Sequence, residues 1–177
     1  MLEITPDHIA LLNDADLREL IGLLCEAELR RRGISAAFVT WGGHQNAADG
    51  GFDVRVALPA NSPVGGFIPA PNTGFQVKAT DMPPSKIGPE MCPNGTLRPV
   101  IQELVDQAGA YIVVSSQGST SDTALRNRRK AMSEALGVAP HAPHLKIDFY
   151  DRTRVATWVR DHAGLILWVR ERIGKVV

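Results

Sequence analysis

The chain has 177 residues, 44% of them hydrophobic, which is enough to build one well-packed core. Its 19 basic and 19 acidic side chains balance, so any affinity for a polyanion has to come from a local patch of charge. No apolar run approaches the roughly 20 residues that span a bilayer, and the amino terminus lacks the basic start of a signal peptide. We therefore expect a single cytoplasmic domain over residues 1–177, with no membrane partner.

Hydrophobic periodicity predicts an alternation of helices and strands. The predicted helices cover residues 11–32, 97–107, 121–136, a segment from 151 onward, and 165–173. The predicted strands cover residues 36–41, 52–58, 74–80, 110–116 and 146–150. Loops rich in proline and glycine separate them, among them a linker at residues 82–95. The pattern predicts an α/β core at about residues 10–150, followed by a helical extension at 151–177 in which Trp158 and Trp168 pack in the core.

Two short motifs carry possible chemistry. Residues 49–53 read Asp-Gly-Gly-Phe-Asp and precede an apolar strand, and the next strand contains Gln76-Val77-Lys78. Side chains alternate between the two faces of a strand, so Asp53 separates from its apolar neighbours, and Gln76 and Lys78 share one face. If the two strands pair, a carboxylate, an amide and an amine converge. We interpret Asp49 mainly as a turn residue, because Asp-Gly-Gly is a common tight-turn sequence.

A second carboxylate is suggested by the first helix. At about 100° per residue, Glu28 falls within the apolar stripe of this helix, whereas Glu26 points away from it. A carboxylate on a buried face needs a cation or an ionic partner. Glu28 therefore either binds a metal or pairs with Arg31 or Arg32 near the end of the helix.

The motifs and the element order together resemble the restriction-endonuclease-like core of the PD-(D/E)xK nucleases. Within that superfamily the chain is similar to Mrr-type enzymes, which have D-G-G-x-D before the acidic strand and Q-x-K in place of E-x-K. The resemblance implies an αβββαβ core with a mixed sheet flanked by helices. A looser similarity links the chain to nuclease domains at the front of anti-phage STAND-type NTPases, so it is also read as a module of a larger bacterial protein.

The implied activity is metal-dependent hydrolysis of double-stranded DNA in restriction or anti-phage defence. The resemblance implies a Mg²⁺ or Mn²⁺ ion held by Asp53, Glu28, Gln76 and the Val77 carbonyl. Lys78 would orient the attacking water. The amide of Gln76 adds no charge, so Glu28 is expected to supply the second carboxylate.

Further residues are candidates for contacting DNA. The loop after the first strand contains two of them, and the others are basic residues at the end of the first helix and on a later helix. The set is His44, Gln45, Arg31, Arg126, Arg129 and Lys130. Cleavage of both strands implies two copies of the site, brought together by self-association or by a larger parent protein.

Two other functions fit the same motifs. The uncharged Gln76 is also typical of a degenerate nuclease fold that only binds nucleic acid or mediates assembly. Alternatively, the enzyme acts on RNA or branched DNA, because contacts to phosphates carry no information about sequence or sugar.

Overall fold

We describe a computed structural model of the chain for residues 3–41, 51–137 and 139–174. Its helices are α1 (Pro6–Ala10), α2 (Asp14–Arg31), α3 (Pro84–Met91), α4 (Pro99–Asp106), α5 (Asp122–Leu136), α6 (Arg152–Arg160) and α7 (Ala163–Arg172). Its strands are β1 (Val39–Trp41), β2 (Val54–Ala57), β3 (Asn72–Lys78), β4 (Ala110–Ser115) and β5 (Lys146–Tyr150). Single turns of 3-10 helix occupy Ala36–Phe38, Pro93–Gly95 and Ala142–His144.

The strands form one five-stranded sheet in the order β1-β2-β3-β4-β5. Strand β2 is antiparallel to both β1 and β3, whereas β3, β4 and β5 run parallel to one another. Val54 lies opposite Phe75, and Lys78 lies opposite Ser115. The start of β2 and the ends of β3 and β4 therefore meet at the same edge of the sheet. This confirms the predicted α/β fold with a mixed sheet flanked by helices.

Apolar side chains form two clusters, one for each face of the sheet. The first cluster contains residues of α1, α2, α6 and α7 together with Val54, Val56, Phe75 and Val77. The second contains residues of α3, α4 and α5 together with Tyr111. Burial on both faces explains why β4 is a continuous apolar run in the sequence.

The long helix α2 begins later than the sequence pattern predicts. The side chain of Asn13 caps it by accepting a hydrogen bond from the Asp16 backbone N–H at 2.8 Å. The preceding residues form the separate short helix α1, which Thr5 caps. At the other end Gly33 has a positive φ of 72°, as expected for the residue that stops the helix.

The carboxyl-terminal helices pack on the same face as α2. Asp151 caps α6 by accepting a hydrogen bond from the Arg154 backbone N–H at 2.9 Å. Trp158 is completely buried, which confirms its predicted place in the core, and Trp168 is partly buried against the same cluster. No helix among the described residues has the length and apolar character needed to cross a membrane.

The prediction of a linker at residues 82–95 is wrong, because this segment contains α3. Pro84 stands in the first turn of that helix, where the fixed φ of proline suits a helix and no backbone donor is lost. Ile87 and Met91 are buried against the second apolar cluster. The helix matters for the candidate site because it carries Glu90.

Candidate active site at the end of the third strand

The Asp53 turn is hydrogen-bonded directly to the Q-x-K strand. The backbone N–H of Asp53 donates to the Phe75 carbonyl at 3.1 Å, and the Val77 N–H donates to Asp53 Oδ2 at 2.7 Å. The Gln76 side-chain amide donates to the Gly51 carbonyl at 3.1 Å. The structure therefore places the Asp53 carboxylate and the Gln76 amide beside β3 at one edge of the sheet. Their convergence with the Lys78 amine stays a prediction.

Packing of Phe52 helps to hold this turn in place. Its ring lies directly over Gly74, where an added Cβ would come within 2.7 Å of ring carbons. The ring also contacts Tyr111, with the two ring centroids 5.9 Å apart. Glycine at position 74 thus allows the residue before Asp53 to lie flat against the sheet, which fixes the position of the carboxylate that follows.

Lys78 faces an acid that the sequence did not reveal. Its amine lies 3.4 Å from Glu90 Oε1, and Arg98 Nη2 lies 3.7 Å from the same oxygen. Arg98 also donates through Nε to the backbone carbonyl of Glu90 at 2.6 Å. The Glu90 side chain is only 17% exposed, and these two cations are its ionic neighbours.

Helix α2 reaches the same site through its first turns. Asp14 Oδ1 accepts a hydrogen bond from the Ala79 backbone N–H at 2.7 Å, one residue beyond Lys78. One helical turn later, Arg18 Nη1 lies 3.7 Å from Asp53 Oδ1. The acid that the first helix places at the end of β3 is therefore Asp14.

The buried hydroxyl of Tyr111 lies within electrostatic reach of this site. Burial raises the pKa of Tyr111 far above its ordinary value; the charges of Glu90 and Asp53 raise it further, and Arg98 opposes them. The hydroxyl has no hydrogen-bond partner among the described residues. A buried O–H without a partner is unusual in a protein, and such groups often have a functional reason.

Glu28 is not part of this arrangement, which corrects the expectation that it supplies the second carboxylate. It is 3% exposed, as its helical phase predicted, but its Oε1 lies 3.1 Å from Trp158 Nε1 and 3.1 Å from His162 Nε2. Arg32 lies 3.7 Å from Oε2. Ten residues separate Glu28 from Arg18, about 15 Å along the helix axis, too far for a cation shared with Asp53.

The basic residues expected to contact DNA are exposed, and each has an acidic neighbour. Arg126 pairs with Asp122, Lys130 with Glu134, and Arg129 with Asp148, all on or beside α5. Arg31 lies 4.0 Å from Asp161, at the far end of α2. The structure thus does not gather Arg31 with the α5 residues into one patch. His44, Gln45 and Asp49 lie outside the described residues.

The site offers oxygen donors that suit magnesium. The candidates are the carboxylates of Asp53 and Asp14 and the amide oxygen of Gln76, and magnesium typically takes one or two carboxylates together with water and substrate phosphates. Within the described ranges, no three His, Cys, Asp or Glu side chains are grouped closely enough to hold a metal on their own. An ion at this place would have to take further ligands from water or a substrate. The expected ligand role of the Val77 carbonyl stays a prediction.

Sequence reasoning missed Glu90, Arg98 and Tyr111. The first lies in a segment whose prolines suggested a loop, and the second follows it. Tyr111 looked like one more apolar residue of a buried strand. Tyr111 lies opposite Gly74 in the pairing of β3 with β4, and its ring contacts Phe52. The sequence does not show this pairing, so it gave no signal for Tyr111.

Comparisons with known proteins add no relative from which a role could be inferred. No family model, no curated protein and no solved structure matches the chain.

Proposed function

We propose that the chain is a metal-dependent nuclease whose active site lies at the end of β3. The observation that carries this proposal is the direct hydrogen bonding of the Asp53 turn to β3. The Asp53 carboxylate accepts from the backbone N–H of Val77, the residue that precedes Lys78. A carboxylate that can hold a divalent ion, close in the chain to a lysine, suits phosphodiester hydrolysis, because negative charge develops on the phosphate oxygens while a water molecule is deprotonated.

Each residue of the site would have a separate role in hydrolysis. Asp53, with Asp14 and the Gln76 amide oxygen nearby, would hold the divalent ion, which when bound supplies positive charge and lowers the pKa of a coordinated water. Lys78 is 33% exposed, so its amine can reach a phosphate oxygen or the attacking water. Arg18 lies beside Asp53 and fixes the orientation of its carboxylate. The resemblance to Mrr-type enzymes makes double-stranded DNA the proposed substrate, in bacterial defence.

The decisive experiment is cleavage of plasmid DNA by the purified protein with Mg²⁺ or Mn²⁺. Asp53→Asn and Lys78→Gln each should reduce the cleavage rate at least about 100-fold, since each removes a group that acts on the reacting phosphate. Glu134→Gln is the control, because Glu134 is exposed and pairs with Lys130 at the surface. Metal-dependent cleavage that survives in both site variants would exclude this active site.

A second function is favoured by a specific observation. Two carboxylates at the site already have cationic neighbours: Asp53 has Arg18, and Glu90 has Lys78 and Arg98. With the uncharged Gln76, this arrangement suits a module that binds the phosphates of nucleic acid without hydrolysing them. Binding of DNA with no strand breaks in either metal would support this module, and the same assay with RNA and branched DNA identifies the substrate form.

A further inference from the structure

We propose that Lys78 and Arg98 form a phosphate-binding site that the Glu90 carboxylate fills while no nucleic acid is bound. A backbone phosphate of the substrate would displace this carboxylate and take its place between the two cations. The inference rests on the proposed function, because it places that phosphate next to Asp53.

Both cations approach the same oxygen atom. Lys78 Nζ lies 3.4 Å and Arg98 Nη2 3.7 Å from Glu90 Oε1. Two positive groups around one anionic oxygen suit a phosphate oxygen as well as a carboxylate oxygen, and arginine and lysine are the usual residues that bind phosphate. Glu90 thus acts as an internal substitute for the ligand.

Arg98 is held in position independently of the Glu90 carboxylate. Its Nε donates to the backbone carbonyl of Glu90 at 2.6 Å, and its backbone N–H donates to the Met91 carbonyl at 2.9 Å. These bonds remain when the Glu90 side chain moves away. The guanidinium is therefore preorganised, which reduces the entropy lost when a phosphate binds.

The Tyr111 hydroxyl is a buried donor on which the charges of the same group act. It is fully buried, it lies within reach of the charges of Glu90, Arg98 and Asp53, and it has no partner among the residues described. An incoming phosphate oxygen, or a water bound to it, would satisfy this donor. This observation is independent of the two ion pairs and leaves one buried donor without an acceptor among the described residues.

The site is open enough for such an exchange. The side chains of Lys78, Arg98 and Glu90 are 33%, 24% and 17% exposed. Partial exposure keeps the existing ion pairs weak, because water screens them. A polyanion that reaches both cations can therefore compete with the single carboxylate.

The test measures the affinity for a fluorescein-labelled DNA duplex by anisotropy in EDTA, so that no cleavage is needed. Glu90→Gln removes the competing charge and keeps the backbone carbonyl that holds Arg98. We expect roughly tenfold tighter binding, the order of one hydrogen bond to a charged group. A plot of the logarithm of affinity against the logarithm of salt concentration should become steeper by about one unit of slope, because about one more phosphate is contacted.

A matched variant separates this effect from a general change of charge. Glu103→Gln makes the same substitution at the Arg55–Glu103 pair, whose atoms are also 3.7 Å apart. Its affinity should stay within about twofold of the wild-type value, as is usual for exposed ion pairs. In Glu90→Gln combined with Arg98→Gln, the gain should disappear. Glu90→Asp, which keeps the charge and shortens the side chain, should bind with intermediate affinity and covers the case in which Glu90→Gln does not fold.

Three outcomes would overturn the inference: unchanged or weaker binding by Glu90→Gln, an equal gain in Glu103→Gln, or a gain that persists without Arg98. None of these outcomes decides whether the protein cleaves DNA, since that is measured with metal in the plasmid assay. Conversely, a wild-type protein that binds DNA without cutting it would refute the proposed hydrolysis and leave the phosphate site intact.

Discussion

On each face of the sheet a carboxylate of low exposure is surrounded by a different kind of partner. On the α2 face, Glu28 is enclosed by Trp158, His162 and Arg32, which occupy both of its oxygens. On the other face, Glu90 shares one oxygen between two partly exposed cations. The first group fastens α2 to the carboxyl-terminal helices, while the second leaves charged groups that a ligand can reach.

This difference shows that the burial of an acid does not by itself mark a reactive site. Glu28 is buried and the Glu90 side chain is only 17% exposed, yet it is Glu90 whose charge acts on the Tyr111 hydroxyl, a donor that lacks a partner in the described part of the chain. Buried polar groups are normally hydrogen-bonded, so incomplete satisfaction is the more informative sign of a binding site.

The largest expected effect on stability is at Glu28. Glu28→Gln should lower the free energy of unfolding by about 2 kcal/mol, because it removes the charge that holds Arg32 and weakens the contacts to Trp158 and His162. Urea denaturation measures this loss, with Glu134→Gln as a surface control expected to change stability by less than about 0.5 kcal/mol. Cleavage of DNA should be retained. A loss of metal-dependent cleavage in folded Glu28→Gln would restore Glu28 as a site residue.

A smaller effect on stability is expected at Gly74, where the Phe52 ring packs on the sheet face opposite α2. The Cβ of Gly74→Ala would lie 2.7 Å from the Phe52 ring, so the ring and the following Asp53 must shift. We expect a loss of about 1–2 kcal/mol in the free energy of unfolding, typical of overpacking. The rate of DNA cleavage should also fall, even at temperatures at which the variant remains folded, so the loss of stability alone does not explain it. Gly88→Ala is the steric control, since nothing lies within 4 Å of its added Cβ; because Gly88 is in α3, this variant should be unchanged or more stable by up to about 1 kcal/mol.

The smallest effect on stability is expected at Tyr111. Tyr111→Phe removes a hydroxyl that has no partner in the described part of the chain, so the free energy of unfolding should change by less than about 0.5 kcal/mol or rise slightly. Affinity for the DNA duplex in EDTA should fall several-fold if this hydroxyl donates to a phosphate. A marked loss of stability in urea denaturation would show instead that the hydroxyl is bonded within the folded protein.

Much of the fold follows from local patterns. Strand alternation and helical spacing located every strand to within a few residues, because these periodicities reflect which side chains the sheet buries. The segment with α3 failed because its prolines suggested a loop, although proline is tolerated in the first turn of a helix. The phase of α2 correctly predicted that Glu28 is buried, but a single helix does not reveal what covers its buried face.

The sequence by itself determined the α/β architecture, through the order of its helices and strands, and it predicted that Asp53 lies beside the Q-x-K strand, through the pairing of neighbouring strands. Only the tertiary structure decided which charges accompany them. It brought Asp14 and Arg18 from α2, Glu90 from α3 and Arg98 from the start of α4 to the same sheet edge, and it directed Glu28 to Trp158 and His162 instead. The physical reason is that ionic partners are chosen by the packing of helices on the sheet, which depends on contacts between residues far apart in the chain.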